Sequence, residues 1–293
     1  MRGPGTRVSC YLCGSEDCTQ VHDRIRYGLP PRPYRCGRCG LVFLHPRMDP
    51  DEEARFYREE YRTRYAEEPA QASFEASLPE ARERVGRFQG LLAKELDILE
   101  IGCATGAFLS LAAGQVRSVT GIEVTPGYAA FAQGLGVPVV ASLDEVPEGG
   151  FDRIFLFHVL EHLQDPIAYL QALRGKLRPG GKLVLEVPNV EDILVSVYRI
   201  REHLDFYWEI AHHYYFSRDT LGVVLSRAGY HHEILPHQRY DLSNHIYWML
   251  YGKPGGKGYF SGIFSRELER EYAKCLKDRF LSDTLYAVAE PGE

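Results

Sequence analysis

The stretch from Asp97 to Leu109, Asp-Ile-Leu-Glu-Ile-Gly-Cys-Ala-Thr-Gly-Ala-Phe-Leu, constrains this chain more than any other. An apolar run, Ile98 to Ile101 broken by Glu100, stops at Gly102 and passes through a turn of small residues. It resumes with Phe108, Leu109, Leu111 and Ala112 at helical spacing. That pattern reads as strand, glycine turn, helix. Gly102 and Gly106 lack a Cβ, so the backbone can turn sharply and a ligand can lie against it, while the amides opening the helix offer donors. A nucleotide-like cofactor is expected here. Turns of this kind use glycine with or without a ligand, and the acidic residues decide. Glu100 precedes the first glycine, and Glu123 ends the next apolar run, Val119 to Val124, about 20 residues on, where a carboxylate is placed to accept hydrogen bonds from a ribose diol.

Glu100-x-Gly102-Cys103-x-x-Gly106 followed by Gly121-Ile122-Glu123 resembles the first two motifs of the class I S-adenosylmethionine-dependent methyltransferases. A dinucleotide oxidoreductase would more often show G-x-G-x-x-G. The resemblance continues downstream. Val137 to Ala141 is a short third strand, Phe151 to Phe157 a fourth that is nearly all apolar, and Lys182 to Val187 a fifth after a Pro-Gly-Gly turn. Glu233 to Tyr240 and Thr284 to Ala289 read as strands six and seven, and Gly229 as the C′ glycine of the helix before strand six. The resemblance implies a Rossmann-like α/β fold with helices on both faces of a seven-stranded sheet, order 3-2-1-4-5-7-6, the seventh strand antiparallel. It also implies S-adenosylmethionine bound over Glu100, Gly102, Cys103, Ala104, Thr105 and Gly106. Glu123 and Val124 then lie at the ribose, Ser142 and Leu143 beside adenine, and His158 at the site's edge.

The first segment carries Cys10-x-x-Cys13 and Cys36-x-x-Cys39, each pair followed by glycine. Two such pairs separated by a loop have the spacing of a four-thiolate zinc ribbon, and four protein ligands leave no open position, so a structural Zn2+ is expected. Cys18 has no partner at ligand spacing. Residues 1–48 therefore form a ribbon with Leu41 to Leu44 as its last strand, 49–95 a helical cap or linker, and 96–293 the methyltransferase domain. Within the cap, Asp49-Pro50-Asp51-Glu52 is a helix start. Tyr57, Tyr61 and Tyr65 either cap a pocket or simply pack a helix.

Methyl transfer to an oxygen or an acidic carbon needs a group that removes a proton, and histidine has a suitable ordinary pKa. His158 after the fourth strand and the His212–His213 pair before the helix that follows the fifth are the candidates, His212 first. His162 reads as structural, and His22, His231, His232 and His237 as solvated surface. The ribbon, the class I motifs and Ala211-His212-His213-Tyr214-Tyr215-Phe216-Ser217 together resemble a bacterial group that includes nucleotide-sugar C-methyltransferases and polysaccharide-modifying methyltransferases. In the sugar C-methyltransferases a Glu-His pair leads this block; Ala211 stands in the glutamate's place here, which favours oxygen over carbon as the acceptor.

The expected acceptor is a small, sugar-containing molecule in carbohydrate biosynthesis. The alternative is an RNA or protein acceptor recognised by the ribbon through Arg24, Arg26, Arg32 and Arg35. The net charge of −6 argues against nucleic acid. A third possibility is a binding protein that keeps the fold without the activity. Residues 241–283, longer than an ordinary hairpin loop, read as helix, glycine hinge, helix, either a lid over the substrate or a face for a homodimer. Asn244, His245, Tyr247 and Trp248 suit a lid, whereas Ile246, Met249 and Leu250 suit an interface. Monomer and homodimer both remain open. Met1 to Tyr11 has no apolar core of signal-peptide length and no segment approaches membrane-span length, so cytoplasm is the expected compartment, with no membrane partner.

Overall fold

A computed structural model of the chain describes residues 8–56 and 69–292. Tyr57, Tyr61 and Tyr65 lie outside the described residues. The ribbon strands are β1 (Cys18–Gln20), β2 (Arg32–Cys36) and β3 (Val42–His45). The main sheet uses β4 (Asp97–Ile101), β5 (Ser118–Ile122), β6 (Val139–Val140), β7 (Phe151–Phe157), β8 (Leu177–Pro188), β10 (Tyr230–His237) and β11 (Thr284–Pro291), with β9 (Tyr214–Tyr215) between β8 and β10 in sequence. Its order is β10-β11-β8-β7-β4-β5-β6. Only β11 runs antiparallel to its neighbours, β8 and β10. This is the 3-2-1-4-5-7-6 order expected of the class I domain.

Strand alternation explains why helices cover both faces. Ile98, Phe155, Phe157 and Val184 pack on one face with Phe88 and Phe108. Leu99, Ile154, Leu156, Leu183 and Leu185 pack on the other with Leu170, Leu173, Leu221 and Val224. The first layer includes helices Ala70–Arg87, Ala107–Ala112 and Pro126–Gly134, and the second Pro166–Lys176 and Arg218–Arg227. Helix Pro50–Arg55 starts as Asp49 predicts, its carboxylate accepting the Glu52 amide at 2.8 Å while Glu52 caps the Asp49 amide. Gly229 ends Arg218–Arg227 with φ +83°.

Two features depart from expectation. The Pro179-Gly180-Gly181 segment does not leave the sheet: β8 begins at Leu177 and absorbs it as a bulge between the pairings Phe151–Leu177 and Arg153–Lys182. The ribbon sheet also does not end at its own third strand. β9 adds to it as a fourth, pairing Val42 with Tyr215 and Phe43 with Tyr214. Leu12, Leu41 and Phe43 are continuous with the main core, so the ribbon and the large sheet share apolar packing.

Candidate functional site

The cofactor turn is built as its glycines require. Gly102 and Gly106 have φ of +68° and +77°, and a Cβ on Gly102 would stand 2.8 Å from Val159 Cγ2. The Ile122 carbonyl of β5 accepts the Gly102 and Cys103 amides at 2.8 and 3.0 Å. The Glu123 carboxylate accepts the Ala104 amide at 3.0 Å and the Thr125 amide at 2.6 Å. These bonds leave carboxylate lone pairs for hydroxyl donors. Val124 projects its side chain into solvent beside Glu123, at 73% exposure. Cys103 and Thr105 are buried in the turn, with the Cys103 thiol against Gly121. Ser142 caps the short turn Leu143–Glu145, sharing a capping box with Glu145, and Leu143 is half-buried at the core's edge.

Glu100 lies on the face covered by helix Ala70–Arg87. Burial, reinforced by the nearby carboxylates Glu123 and Glu186, pushes its carboxyl up to about 8, and Oε2 is buried without a hydrogen-bond partner. A group of this kind is relieved by a cation. Glu186 on the same face receives Arg84 Nε at 2.8 Å and Arg87 Nη1. Arg84 pairs with Glu80 at 2.9 Å, Glu80 with Arg239 at 2.8 Å, and Arg239 donates to His158 Nε2 at 2.9 Å. This relay ties the cap helix to the ends of β7, β8 and β10.

At the ends of β7 and β8 opens a cavity of about 460 Å³, reached by His158 and Pro188. His158, Glu161, His212, Glu209, Arg239, Asp192 and Asp283 line its polar parts, with Phe206, Tyr207 and Trp248 as aromatic walls. Val159, which follows the lining residue His158 in the chain, would meet a Cβ on Gly102. His212 is the organised group. Its Nε2 lies 2.8 Å from Glu209 Oε1, while its Nδ1 is buried without a hydrogen-bond partner. Since a carboxylate accepts, Nε2 carries the proton and Nδ1 the lone pair. Burial alone would lower the imidazole pKa, but the charge of Glu209 and its hydrogen bond outweigh that and hold it above 6.5. Burial likewise opposes ionisation of Glu209, yet His212 and Arg26 bring it down to about 2. Arg26 Nη1 meets the other Glu209 oxygen at 2.7 Å.

His158 is different. Arg239 occupies its Nε2, its proton sits on Nδ1 facing Glu161 at 3.5 Å, and burial together with Arg239 holds its pKa well below 6.5. Its lone pair is already used. His213 is 1% exposed, donates its amide to the Glu161 carbonyl and stands outside the cavity lining. His162 turns Nδ1 to the Ala211 carbonyl at 2.9 Å and packs edge-on to His212. Four further buried polar atoms on the cavity residues lack hydrogen-bond partners: both Glu161 oxygens, His203 Nδ1 and Tyr207 Oη. Burial pushes the Glu161 carboxyl up to about 7.

Residues 241–283 contribute Asn244, Trp248, Pro254, Gly255 and Asp283 to the cavity. His245 instead bonds Tyr272 Oη at 2.7 Å, and Tyr247 packs with Tyr251 and Tyr259. Met249 and Leu250 face solvent at 48% and 61% exposure. Glu209 and Arg239 carry no local motif, whereas Glu161 stands in the His158-Val-Leu-Glu161-His162 stretch and Arg26 among the ribbon arginines; the fold alone brings all four to one cavity. His22 and His237, expected as solvated, are paired with Asp205 at 2.6 Å and Glu83 at 3.1 Å.

In the ribbon, Cys10 Sγ and Cys39 Sγ lie 3.5 Å apart, as do Cys13 Sγ and Cys36 Sγ, and all four sulfurs fall within 4.8 Å of one another. None forms a disulfide. A tetrahedron with Zn–S of about 2.3 Å has edges of roughly 3.8 Å, so this donor set fits a four-thiolate metal. Burial raises Cys36, but the amides of Cys39 and Arg38 donate to its sulfur and bring it down to about 7.

A methyltransferase-domain family matches residues 57–233, more than half of the chain, and the chain belongs to that family. With the class I sheet, this makes residues 57–233 a methyltransferase domain of the S-adenosylmethionine-dependent fold. The tRNA U34 carboxymethyltransferase of Methylococcus capsulatus is 34% identical over 151 residues, 45% of this chain and 44% of that protein. The ubiquinone biosynthesis O-methyltransferase of Xanthomonas oryzae pv. oryzae is 31% identical over 102 residues, 31% of this chain and 43% of that protein. The matched stretches span less than half of each relative's length. A chain from the complex of the Haloferax volcanii Trm112 methyltransferase activator with a putative methyltransferase superposes with a TM-score of 0.53 at 14% identity, covering 77% of this chain and 96% of that one. A methyltransferase from Archaeoglobus fulgidus gives 0.51 at 20%, covering 74% and 96%. These two likenesses are of fold alone. Among the described residues no helix is long and apolar enough to cross a membrane.

Proposed function

We propose that the protein methylates a hydroxyl oxygen of a small, sugar-containing acceptor held in the 460 Å³ cavity, with His212 as the general base. The observation that carries this reading is the Glu209–His212 dyad, with a buried, unpartnered Nδ1 on a residue lining the cavity. Bound S-adenosylmethionine supplies a methyl group on a positive sulfur. Glu123, with Val124 next to it, would take the ribose hydroxyls, Glu100 to Gly106 would lie under the cationic methionine part, and Ser142 and Leu143 would border adenine. At the acceptor, His212 Nδ1 takes the hydroxyl proton while Nε2–H stays on Glu209, whose charge steadies the imidazolium. His158, neutral and held by Arg239, shapes the wall.

A sugar class is supported by unpartnered hydroxyl-binding groups on Glu161, His203 and Tyr207 beside the aromatic rings of Phe206 and Trp248. On this reading residues 241–283 act as a lid. The four cysteines hold a structural Zn2+.

Similarity to tRNA U34 carboxymethyltransferases favours an RNA acceptor as a second reading. Against it, Arg26 is turned onto Glu209 and Arg32 onto the carbonyls of Leu29, Pro30 and Pro31, so two of the four ribbon arginines face inward. Methyl-labelled S-adenosylmethionine incubated with size-fractionated cell extract separates the readings. Label is expected in the small-molecule fraction, and label confined to RNA would transfer the assignment to the second reading. With the labelled acceptor in hand, His212→Ala is expected to lower turnover about 10²- to 10⁴-fold with cofactor affinity nearly intact. Near-normal turnover across pH would remove His212 as the base.

A further inference from the structure

Resting on the assignment of His212 as base, we propose that Arg26 of the four-cysteine ribbon is a positioning residue for the acceptor chemistry. It pins Glu209, and through Glu209 it fixes which nitrogen of His212 faces the acceptor. The ribbon is then a structural part of the reactive centre.

The contacts all converge on one segment. Arg26 Nη1 is 2.7 Å from Glu209 Oε2, while the other carboxylate oxygen, Oε1, holds His212 Nε2 at 2.8 Å. Arg26 Nε donates to the Phe206 carbonyl at 2.8 Å, its backbone amide donates to the Trp208 carbonyl at 2.7 Å, and its guanidinium lies 3.7 Å above the Phe206 ring. Ile25, next in the chain, is buried in a cluster with Val42, Leu44, Trp208 and Tyr215. On the other side of His212, the Leu44 amide donates to the His213 carbonyl at 3.1 Å and β9 pairs with β3. The base is therefore held from both flanks by the ribbon.

The physical consequence follows from the two oxygens of one carboxylate. With Oε2 fixed by a fork donor, Oε1 has one orientation, and that orientation accepts Nε2–H. Without the guanidinium, Glu209 is a buried carboxylate with one partner that can rotate, and His212 is free to exchange tautomers or to flip. Either change takes the Nδ1 lone pair away from the acceptor. The cofactor turn shares no contact with this triad, so its affinity for ligand is independent of it.

Long-range ¹H–¹⁵N correlation spectra of histidine-labelled full-length protein read each ring's tautomer, with His212 assigned by its loss in His212→Gln. Wild type is expected to show His212 protonated at Nε2 with a slowly exchanging proton. In Arg26→Gln the tautomers should mix and the proton exchange about tenfold faster or more, with Arg26→Lys intermediate. Glu209→Gln should perturb His212 similarly, and adding Arg26→Gln to it should change nothing further. S-adenosylhomocysteine affinity, measured by calorimetry, should stay within about twofold throughout. An unchanged His212 tautomer and exchange rate in Arg26→Gln, or additive effects in the double variant, would overturn the proposal. If Arg26→Gln does not fold, the lysine variant carries the test by the same spectra, and unaltered spectra there also overturn it. None of these readouts depends on turnover, so they fail separately from the base assignment tested by His212→Ala.

Discussion

At the residue scale, proton positions and carboxylates decide what this site can do. His212 has a folded pKa above 6.5 because Glu209 outweighs the burial that would lower it. The protonated form is therefore favoured in the folded chain. Its contribution to stability is fully present below 6.5 and is lost as pH rises through the raised value. If His212 is the base as proposed, activity runs the opposite way, since a base works in its neutral form. The acid limb of kcat/KM should lie above pH 6.5 and move downward in Glu209→Gln. A limb at or below the ordinary histidine value would contradict the dyad. On the cofactor side, Glu123→Ala removes a buried acceptor whose hydrogen bonds to neutral donors are worth about 1.5 to 3 kcal/mol each. Cofactor affinity by calorimetry should fall at least about tenfold, and undiminished affinity would refute its assignment to the ribose.

At the scale of elements, the turn between β4 and its helix tolerates little change. Gly102 combines φ +68° with a Cβ direction that meets Val159 Cγ2 at 2.8 Å. Alanine there pays twice, through left-handed strain of roughly 1–2 kcal/mol and through displacement of the segment that carries His158. Gly102→Ala should lower the unfolding temperature and weaken cofactor binding. Adding Val159→Ala should recover only the steric part. Full recovery would mean the backbone conformation is not the constraint. Helix Ala70–Arg87 has a parallel role: Glu80, Arg84 and Arg87 lie on one face and reach β8, Arg239 and His237. A helix of that polarity is held by ion pairs as much as by Ala81, its one fully buried residue.

At the scale of the whole molecule, the ribbon and the large sheet form one structural unit. β9 belongs by sequence to the segment between β8 and β10 and by hydrogen bonding to the ribbon. The chain should therefore carry one zinc per molecule. Native mass spectrometry should find it in wild type and in Cys18→Ser, since Cys18 lies outside the four-sulfur group. It should be lost in Cys13→Ser, and chelation should lower a single cooperative unfolding transition. Loss of the metal in Cys18→Ser would show a different ligand set.

What the sequence determined by itself was local in range. The turn from Glu100 to Gly106, Glu123 about 20 residues later, the two Cys-x-x-Cys knuckles and the capping residues all act within a few tens of positions, where spacing dictates geometry. The nearly all-apolar run of β7 likewise implied a strand buried on both faces. Tertiary structure alone decided the acceptor side. Arg26 and Glu209 are far apart in sequence, as are Glu80 and Arg239, and no periodicity links such pairs. The same holds for His22 and His237, which read as solvated from their neighbours but are paired across the fold. Glu209, three residues before His212, reaches its Nε2 at 2.8 Å because the chain turns between them, a contact that the sequence around Ala211 does not announce. A carboxylate's partner is set by distance in space, and the folded chain alone sets that distance.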